Sequence, residues 1–323
     1  MAAVIRSEGL GKIYTRYRKM EGHLLRRQRE EIAALTDATF ETAPGEAIGL
    51  LGPNGAGKST MVKLLCGILT PTSGRCTVNG LVPWQERKAC ARTIGAVFGQ
   101  RTQLWWDVPI RDSYTLLRDI YALPRSVWQD RLDEACAALE LDGLLDTPLR
   151  QLSLGQRMRA ELCGSLLHSP GLLFLDEPTI GLDAVSKLRL REFLARENRD
   201  RGTALLLTTH DMADVQALCA RVLVLGHGHI LYDGPFTALL ERYRRTAAVR
   251  CVFGAEPEFR PLPGDVRSER DGEGWLFSYP AHGHTLADLM PLLMRLAPLT
   301  AFTPVEPSVD EMIADMYREM KLS

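Results

Sequence analysis

One nine-residue stretch constrains the fold more than any other part of the chain. The sequence GPNGAGKST, Gly52 to Thr60, matches the pattern G-x-x-x-x-G-K-[ST]. It directly follows the apolar run Ala47–Leu51 and directly precedes the helical pattern STMVKLLCGIL. A strand, a glycine-rich turn and a helix N-terminus in this order let backbone N–H groups surround phosphate oxygens, and the helix dipole adds to the attraction. The stretch therefore predicts a nucleotide site on an α/β fold.

Two side chains of this loop have specific expected tasks. Lys58 would reach the β- and γ-phosphates, and Ser59 would ligate Mg²⁺. The guanine-reading motif N-K-x-D does not occur in the sequence, so adenine is the expected base. The residues of the loop predicted to bind ATP are Gly52, Pro53, Asn54, Gly55, Ala56, Gly57, Lys58, Ser59 and Thr60.

A second apolar run, LLFLDEPT, complements the loop because it delivers two carboxylates to a strand end. Asp176 can hold the Mg²⁺ through water, and Glu177 is placed to polarise an attacking water. An ordinary strand followed by an acidic turn is the alternative interpretation, and the presence of the phosphate loop disfavours it.

Short continuous apolar runs predict the core of the fold. Because they do not alternate with polar residues, they are typical of parallel strands covered on both faces. Helical patterns separate them, which indicates an α/β core. The four runs are Ala47–Leu51, Leu172–Leu175, Ala204–Leu207 and Val222–Leu225.

Two other regions differ in pattern. Residues 101–165 carry apolar residues at three- and four-residue spacing and are interpreted as a helical subdomain inserted into the core. After Tyr243 the chain becomes Pro-rich with strand-like runs, and amphipathic helices are expected near 285–296 and 308–320. We therefore divide the chain into an ATP-binding domain, 1–245, and a small C-terminal α+β domain, 246–323.

Composition excludes some classes of function. The formal net charge is −1, from 39 basic and 40 acidic side chains, so a global basic field that would hold nucleic acid is absent. Seven widely spaced cysteines form no C-x-x-C pair and are expected to be buried reduced thiols of a cytosolic protein. We find neither a signal peptide nor a run near the ~18 apolar residues of a membrane span. A role at a membrane would therefore depend on another protein's helices.

The pentapeptide LSLGQ, Leu152–Gln156, precedes the carboxylate strand by about twenty residues. With it, the sequence resembles the nucleotide-binding subunits of ABC transporters, whose signature is L-S-G-G-Q. The resemblance spans about residues 4–240 and includes every family motif in order. It implies an ABC-type P-loop NTPase core with a mixed sheet. The departure is Leu154 in place of Gly, which puts the backbone conformation there in question because only Gly visits positive φ cheaply.

The resemblance gives roles to four further residues. Tyr14 in GKIY matches the aromatic that stacks on adenine, with a plain strand-end aromatic as the alternative. Gln100 matches the glutamine that contacts the Mg²⁺ and the attacking water. Asp183 in GLDAV matches the D-loop aspartate. His210 in LLLTTHD matches the switch histidine that contacts the γ-phosphate, with a buried core histidine as the alternative.

The signature residues Ser153, Leu154, Gly155 and Gln156 stand at the start of the helical pattern QRMRAELCGSLLH. A serine hydroxyl, a glycine backbone and a helix N-terminus together make a second phosphate-binding surface. In the family this surface covers the ATP bound by the other subunit. The resemblance therefore implies a head-to-tail homodimer with two ATP and two Mg²⁺ at its interface.

Other features narrow the class within the family. A single nucleotide loop and signature disfavour the tandem soluble members that act on ribosomes or nucleic acid. The ending VEPSVDEMIADMYREM resembles that of ATPases serving exporters with separate permease subunits, of which two are expected. GQRTQLWWD and neighbouring motifs are most similar to a bacterial exporter subgroup, some of whose members are associated with export of organic cations such as viologens.

The resemblance therefore implies an ATPase held at the cytoplasmic face of the cell membrane through its permease, without a nucleic acid partner. Two alternatives stay open. One is a soluble ABC ATPase acting on ribosomes or nucleic acid. The other is a regulatory nucleotide-binding module that hydrolyses ATP only weakly.

Two segments suggest contacts with the membrane partner. Trp105 and Trp106 follow Gln100 where the core meets the helical subdomain, a junction that receives the permease in this family. We expect them to be interface anchors, the alternative being that both wedge between the subdomains. Thr15–Glu31 holds six Arg/Lys against three Glu and is expected to contact permease loops or anionic headgroups, the alternative being a solvated helix.

The triplet HGH occurs at 227–229 and at 282–284. Neither triplet has a third metal ligand in view, so neither is expected to bind a metal. The first is interpreted as a glycine-centred turn between strands.

Overall fold

The computed structural model describes residues 3–19, 27–99, 102–244, 246–258, 262–281, 283–305 and 308–322. These residues form two units, one running to Phe236 and including Leu322, the other comprising Thr237–Lys321. The boundary between the two units follows Phe236, whereas the change in sequence pattern predicts it after residue 245.

The strands within those ranges are, in chain order, β1 (Ile5–Lys19), β2 (Arg27–Thr42), β3 (Ala47–Leu51), β4 (Ser73–Val78), β5 (Ile94–Phe98), β6 (Leu172–Asp176), β7 (Ala204–Thr208), β8 (Arg221–Gly226), β9 (His229–Pro235), β10 (Thr246–Phe253), β11 (Arg267–Asp271), β12 (Gly274–Pro280) and β13 (Leu299–Val305). The α-helices are α1 (Lys58–Leu65), α2 (Arg87–Ala91), α3 (Ile110–Tyr121), α4 (Arg125–Leu139), α5 (Leu154–Leu166), α6 (Ala184–Arg201), α7 (Met212–Leu218), α8 (Phe236–Tyr243), α9 (Leu286–Leu293) and α10 (Val309–Glu319). Among the described residues, no helix combines the length and the apolar character needed to cross a membrane.

The first unit is built on a six-stranded sheet with the order β5-β6-β7-β3-β8-β9. Neighbouring strands from β5 to β8 are parallel, and β9 runs antiparallel to β8. Every residue of β3 and β7 is buried, which explains why their sequences are continuously apolar. The four strands predicted from the apolar runs are confirmed as β3, β6, β7 and β8.

This strand order brings three carboxyl ends together, because β6, β7 and β3 are neighbours. The loop that begins at Gly52 leaves β3, and Asp176 is the last residue of β6. β7 ends at Thr208, two residues before His210. In open α/β sheets, ligands bind beyond the carboxyl ends of the strands. The topology therefore places all three segments at one edge.

A smaller sheet of the first unit has the order β2-β1-β4. β1 and β2 are antiparallel, with paired residues from Ile5 and Thr42 to Lys19 and Arg27. Residues 15–19 and 27–31 are thus strand, and the helical alternative for Thr15–Glu31 is wrong over these residues. Residues 20–26 of that segment lie outside the described part of the chain.

The region predicted to be helical contains α3, α4 and α5. On α3 the buried side chains Ile110, Tyr114 and Leu117 follow a three- and four-residue spacing, as an amphipathic helix requires. Arg131 of α4 forms a buried ion pair with Glu197 of α6, with Nη2 and Oε2 2.7 Å apart. The region is therefore helical, as predicted, and α4 is linked to a helix of the core.

The second unit contains an antiparallel sheet with the order β11-β12-β10-β13. Its core brings Val249, Cys251 and Phe277 of the sheet together with Leu289 and Leu293 of α9. The two amphipathic helices expected in this part of the chain are confirmed as α9 and α10.

All seven cysteines are free thiols. Six of them are buried, and Cys66 is partly buried. Burial raises the pKa of Cys76 and of Cys219 to about 12. The expectation of buried thiols is confirmed for six of the seven.

Candidate active site

Glycine conformations shape the loop between β3 and α1. Gly52 has a φ of 145° and Gly57 a φ of 110°, values that residues with a Cβ rarely adopt. A Cβ on Gly57 would lie 2.5 Å from the carbonyl oxygen of Ala34. As the N-cap of α1, Gly57 offers no side chain to the first N–H groups of the helix. Those groups are the ones that bind phosphate at a helix N-terminus.

Lys58 is the first residue of α1, and its ammonium points back into the loop. Nζ donates hydrogen bonds to the carbonyl oxygens of Gly52, at 2.5 Å, and Pro53, at 3.0 Å. Burial lowers the pKa of Lys58, while the nearby carboxylates of Glu177 and Asp176 act in the opposite direction. A partly desolvated cation at this position attracts phosphate more strongly than a solvated one.

A cavity of about 940 Å³ opens beside the loop at the carboxyl edge of the sheet. Gly52 and Ala56 belong to the loop but do not line this cavity. The predicted residues that line it are Pro53, Asn54, Gly55, Gly57, Lys58, Ser59, Thr60, Asp176, Glu177 and His210. The fold thus brings together three motifs that are far apart in sequence.

Glu177 and His210 face each other across the ends of β6 and β7. The backbone N–H of His210 donates to Oε2 of Glu177 at 3.4 Å. The ring nitrogen Nε2 of His210 lies 3.5 Å from Oε1 of Glu177. Burial raises the pKa of Glu177 and the adjacent Asp176 adds to this, whereas His210 and Lys58 oppose it. A carboxylate with a raised pKa accepts a proton more readily, which suits a general base.

The oxygen donors at this edge fit Mg²⁺. The hydroxyl of Thr208 donates to Asp176, which fixes the carboxylate, and Ser59 lines the same cavity. The described part of the chain contains no cluster of three or more His, Cys, Asp or Glu that could hold a metal. Mg²⁺ is commonly bound by one or two carboxylates together with substrate phosphates and water, so a sparse set of hard oxygen donors is appropriate.

The signature residues form the start of α5. Ser153 is the N-cap, and its Oγ accepts from the N–H of Gln156 at 3.2 Å while Oε1 of Gln156 accepts from the N–H of Ser153 at 2.9 Å. This capping box satisfies two N–H groups at the helix start. Leu154 is the first helical residue and does not have a positive φ. The leucine is therefore compatible with the backbone, which answers the question raised by this departure.

Leu154 also packs against the segment that follows Glu177. A Cβ on Gly181 would lie 2.5 Å from Cδ2 of Leu154, so the leucine side chain fills the space beside this glycine. Asp183, the D-loop aspartate of the sequence analysis, is the N-cap of α6 and accepts from the N–H of Ser186 at 2.9 Å. The start of α5 is thus in direct contact, within one chain, with the D-loop, the segment GLDAV that contains Gly181 and Asp183.

Tyr14 lies on β1 opposite Ile32 of β2. Its side chain is 37 % exposed, with Nζ of Lys12 5.7 Å from the ring centroid. It does not line the cavity, but Ala34 does. Opposite residues of antiparallel strands, and residues two apart on one strand, share a face. Tyr14 therefore shares a face of the sheet with Ile32, but a β-bulge between residues 33 and 35 interrupts the alternation at Ala34.

Trp105 and Trp106 are 40 % and 44 % exposed, which disfavours burial of both between the subdomains. The N–H of Trp105 donates to Oγ of Ser113 at 3.1 Å, and the carbonyl of Trp106 accepts from the N–H of Arg150 at 3.1 Å. Trp106 lines a cleft of about 380 Å³ together with Phe98 of β5 and residues of α5. Each tryptophan is thus anchored through its backbone and leaves much of its ring accessible.

Comparison with known proteins agrees with this geometry. A sequence model of the ABC transporter family matches residues 35–180. The ABC transporter ATP-binding protein NatA of Bacillus subtilis (strain 168) is 30 % identical over 217 residues, covering 67 % of this chain and 88 % of NatA. The chain belongs to the ABC transporter ATP-binding family. The Nod factor export ATP-binding protein I of Neorhizobium galegae is 35 % identical over 245 residues, covering 75 % of this chain and 69 % of that protein.

Among solved ABC structures, a dimeric post-hydrolysis state of the ATP-binding cassette MJ0796, bound to ADP and Pi, is similar with a TM-score of 0.61. It is 25 % identical in sequence and covers 72 % of this chain and 98 % of its own. The predicted fold class, an ABC-type P-loop α/β core, is confirmed. As a member of this ABC family, the chain is an ATP-binding ATPase.

Some residues that line the cavity of this ABC ATPase were not predicted. They are Ala34, Thr179, Ile180, Gly181, Leu182, Lys187 and Asp211. Lys187 lies one helical turn after Asp183, so helix periodicity could have indicated it. Ala34 reaches the cavity only through the pairing of β1 with β2, which has no local sequence signal.

Two predicted positions lie outside the described residues, namely Gln100 and His282. His227 and Gly228 form the turn between β8 and β9, as the interpretation of the first HGH triplet predicted. In the second triplet, Nε2 of His284 is 3.0 Å from a carboxylate oxygen of Asp265.

Proposed function

We propose that the chain is the ATP-hydrolysing subunit of an ABC exporter, in which two copies close head to tail across two Mg·ATP and separate membrane permease subunits carry the cargo. The observation that carries this proposal is the gathering of Lys58, Glu177 and His210 around one cavity in a chain of the ABC family. The dimeric state of MJ0796 supports the two-copy arrangement.

Binding involves the loop and the smaller sheet. Lys58 and the first N–H groups of α1 bind the phosphates, and Tyr14, an exposed aromatic on β1, stacks on adenine. Ser59, Asp176 and Gln100 would hold Mg²⁺, which when bound neutralises charge that develops on the phosphates. In the proposed dimer, the residues from the opposite chain are Ser153, Leu154, Gly155 and Gln156, followed by the D-loop residue Asp183.

Hydrolysis depends on two side chains of this chain. Glu177 accepts the proton of the attacking water, because its carboxylate lies in the cavity and burial raises its pKa. His210 holds that carboxylate through its N–H at 3.4 Å and would contact the γ-phosphate through its ring. ATP binding thus closes the dimer, and hydrolysis reopens it.

Export and membrane attachment rest on two observations. A relative named for Nod factor export is 35 % identical to this chain. Trp105 and Trp106 offer exposed aromatic rings at the junction of the core and the helical region, where they suit an interface with a permease at the cytoplasmic face of the membrane. The cargo class implied by the subgroup resemblance is an organic cation.

Purification of the tagged chain from detergent-solubilised membranes of its host tests this proposal. We expect an integral membrane protein to co-purify, and ATPase activity in vesicles of that complex to rise when methyl viologen is added as probe. Ribosomal proteins or RNA in place of a membrane partner would contradict the transport function. An unchanged rate with viologen would contradict only the cargo class.

A further inference from the structure

Asp214 on α7 is a completely buried carboxylate that joins several segments of the active-site edge. One of its oxygens, Oδ2, accepts hydrogen bonds from the hydroxyls of both Thr179, at 2.6 Å, and Thr209, at 3.1 Å. Both threonines are themselves buried. Thr179 follows β6 and Thr209 follows β7, so a single oxygen atom ties together the turns that leave two neighbouring strands.

The other oxygen of Asp214 is paired with Arg191 of α6. Nε and Nη2 of Arg191 lie 2.7 Å and 2.6 Å from Oδ1. Arg191 also contacts Asp211 at 3.3 Å, and Nζ of Lys187 donates to Asp211 at 2.6 Å. Two carboxylates and two cations therefore lie together in this cluster, and the oxygens of Asp214 have four polar contacts, two from threonine hydroxyls and two from Arg191.

The positions of the two threonines relate this cluster to catalysis. Thr179 comes two residues after Glu177, and Thr209 comes directly before His210. Glu177 has a φ of 55°, a left-handed conformation that is unfavourable for a residue with a Cβ and persists only where the surroundings enforce it. Its N–H donates to the carbonyl of Thr208 at 2.9 Å, which fixes one side of the residue. The hydroxyl of Thr179 fixes the other side.

We propose that Asp214 is a positioning residue for ATP hydrolysis. It holds Glu177 and His210 at a fixed spacing, because it accepts hydrogen bonds from the hydroxyls of Thr179 and Thr209. The inference rests on the proposed function, because it needs Glu177 as the base. A shared acceptor oxygen keeps the spacing of the two turns constant. Loss of one threonine hydroxyl releases the turn after β6, so that the carboxylate of Glu177 leaves its place beside His210.

The test varies Thr179 rather than Asp214, because removal of the carboxylate leaves Arg191 charged and unpaired in the interior. Thr179→Val removes the hydroxyl and keeps the shape, and Thr179→Ser keeps the hydroxyl. Thr203→Val is the matched control, because Thr203 is another buried threonine of this unit whose hydroxyl donates to the carbonyl of Pro170 at 3.3 Å. Steady-state ATPase, ATP binding by fluorescence and thermal unfolding are measured for all variants.

We expect Thr179→Val to lower kcat about 10- to 100-fold, the size of effect that misplacement of a catalytic group produces, with ATP affinity unchanged. Thr179→Ser should restore most of the rate, and Thr203→Val should lower Tm without lowering kcat. In a Glu177→Gln background, Thr179→Val should cause no further fall in the single-turnover rate, because the base that it positions is already absent.

Two results would overturn the inference alone. One is a wild-type kcat for the Thr179→Val variant, measured together with a loss of activity in the Glu177→Gln variant. The other is an equal fractional loss of rate from Thr179→Val in the wild-type and Glu177→Gln backgrounds, as a purely structural role produces. A Glu177→Gln variant that hydrolyses ATP at the wild-type rate would instead overturn the proposed role of Glu177 as the base, and this inference with it.

Discussion

The guanidinium of Arg157 lies over the ring of Trp106, with its central carbon 4.4 Å from the ring centroid. Arg157 directly follows Gln156, the last residue of the signature. Such a cation–π contact stabilises an exposed pair by about 0.5–1 kcal/mol. The exposed aromatic proposed to face the permease is thus held by the helix whose N-terminus is proposed to face ATP.

The double substitution Trp105→Ala/Trp106→Ala should weaken association with the permease and leave ATP binding intact. The rings supply the apolar area expected of an interface anchor, whereas neither lines the nucleotide cavity. Detergent co-purification and an ATP titration measure the two properties. Ile120→Ala, at a 54 % exposed position of α3, is the control and should keep the permease bound. Unchanged association of the double variant would refute the interface.

Glu177→Gln should lower kcat about 10²- to 10⁴-fold, the contribution of a general base. The amide keeps the size of the side chain but cannot accept the proton of the attacking water. ATP binding should persist, and the variant should accumulate as an ATP-bound dimer in size-exclusion chromatography. Glu192→Gln, at an exposed position of α6, is the matched control and should hydrolyse ATP normally. Normal turnover by Glu177→Gln would refute the assignment.

Glu197→Gln should destabilise the fold by up to about 3–5 kcal/mol, because it leaves the buried Arg131 with only the half-exposed Glu134, 3.1 Å from Nη1, as a charged partner. The exposed pair Arg6–Glu41, 3.1 Å apart, gives the matched control. Glu41→Gln should cost no more than about 1 kcal/mol. Urea unfolding measures both variants. Equal stability losses would show that the Arg131–Glu197 pair contributes no more than a surface pair.

Stability should fall as the pH decreases below about 6.5, the ordinary pKa of histidine, because of His168. Burial lowers the pKa of His168 in the folded chain, so the unfolded chain binds the proton first. The stabilisation is complete above the unfolded pKa and is lost as the pH falls towards the lower, folded value.

His168→Phe isolates this effect, because a phenyl ring can keep the stacking on Tyr121, whose ring centroid lies 4.0 Å away. We expect the Tm difference between wild type and His168→Phe to change between about pH 7.5 and about pH 5.5, around the reference pKa. The wild type should lose more stability on acidification. Parallel Tm curves for the two proteins would contradict the role of His168.

Much of the core could be predicted because its strands are buried on both faces and therefore read as apolar runs. The outer parts of β1 and β2 could not be predicted, because both faces are solvated there: Ile13 and Tyr14, adjacent on β1, are 40 % and 37 % exposed, and Ile32 on β2 is 43 % exposed. Strands with two solvated faces have no apolar periodicity to detect. For this reason the sequence leaves a solvated helix open as an alternative for the charged segment between Tyr14 and Ile32.

The cavity residues Lys58, Glu177 and His210 could be predicted because each lies in a motif that is contiguous in sequence. The Asp214 cluster could not, because Thr179 and Asp214 are 35 positions apart and meet only when β6 and β7 become neighbours. The conformation at Leu154 was likewise accessible only from the structure. The residue is helical, so a leucine is accepted there without backbone strain.

The burial of the cysteines has a practical consequence for spectroscopy. Thiols react as thiolates, and six of the seven native thiols are shielded from solvent while burial also raises the pKa of the partly covered Cys66. A single cysteine introduced at an exposed site, such as Ser126 on α4, would therefore react with a maleimide much faster than the native ones. Spin or fluorescent labels placed in this way could report the distance between two copies during an ATP cycle, without a cysteine-free background.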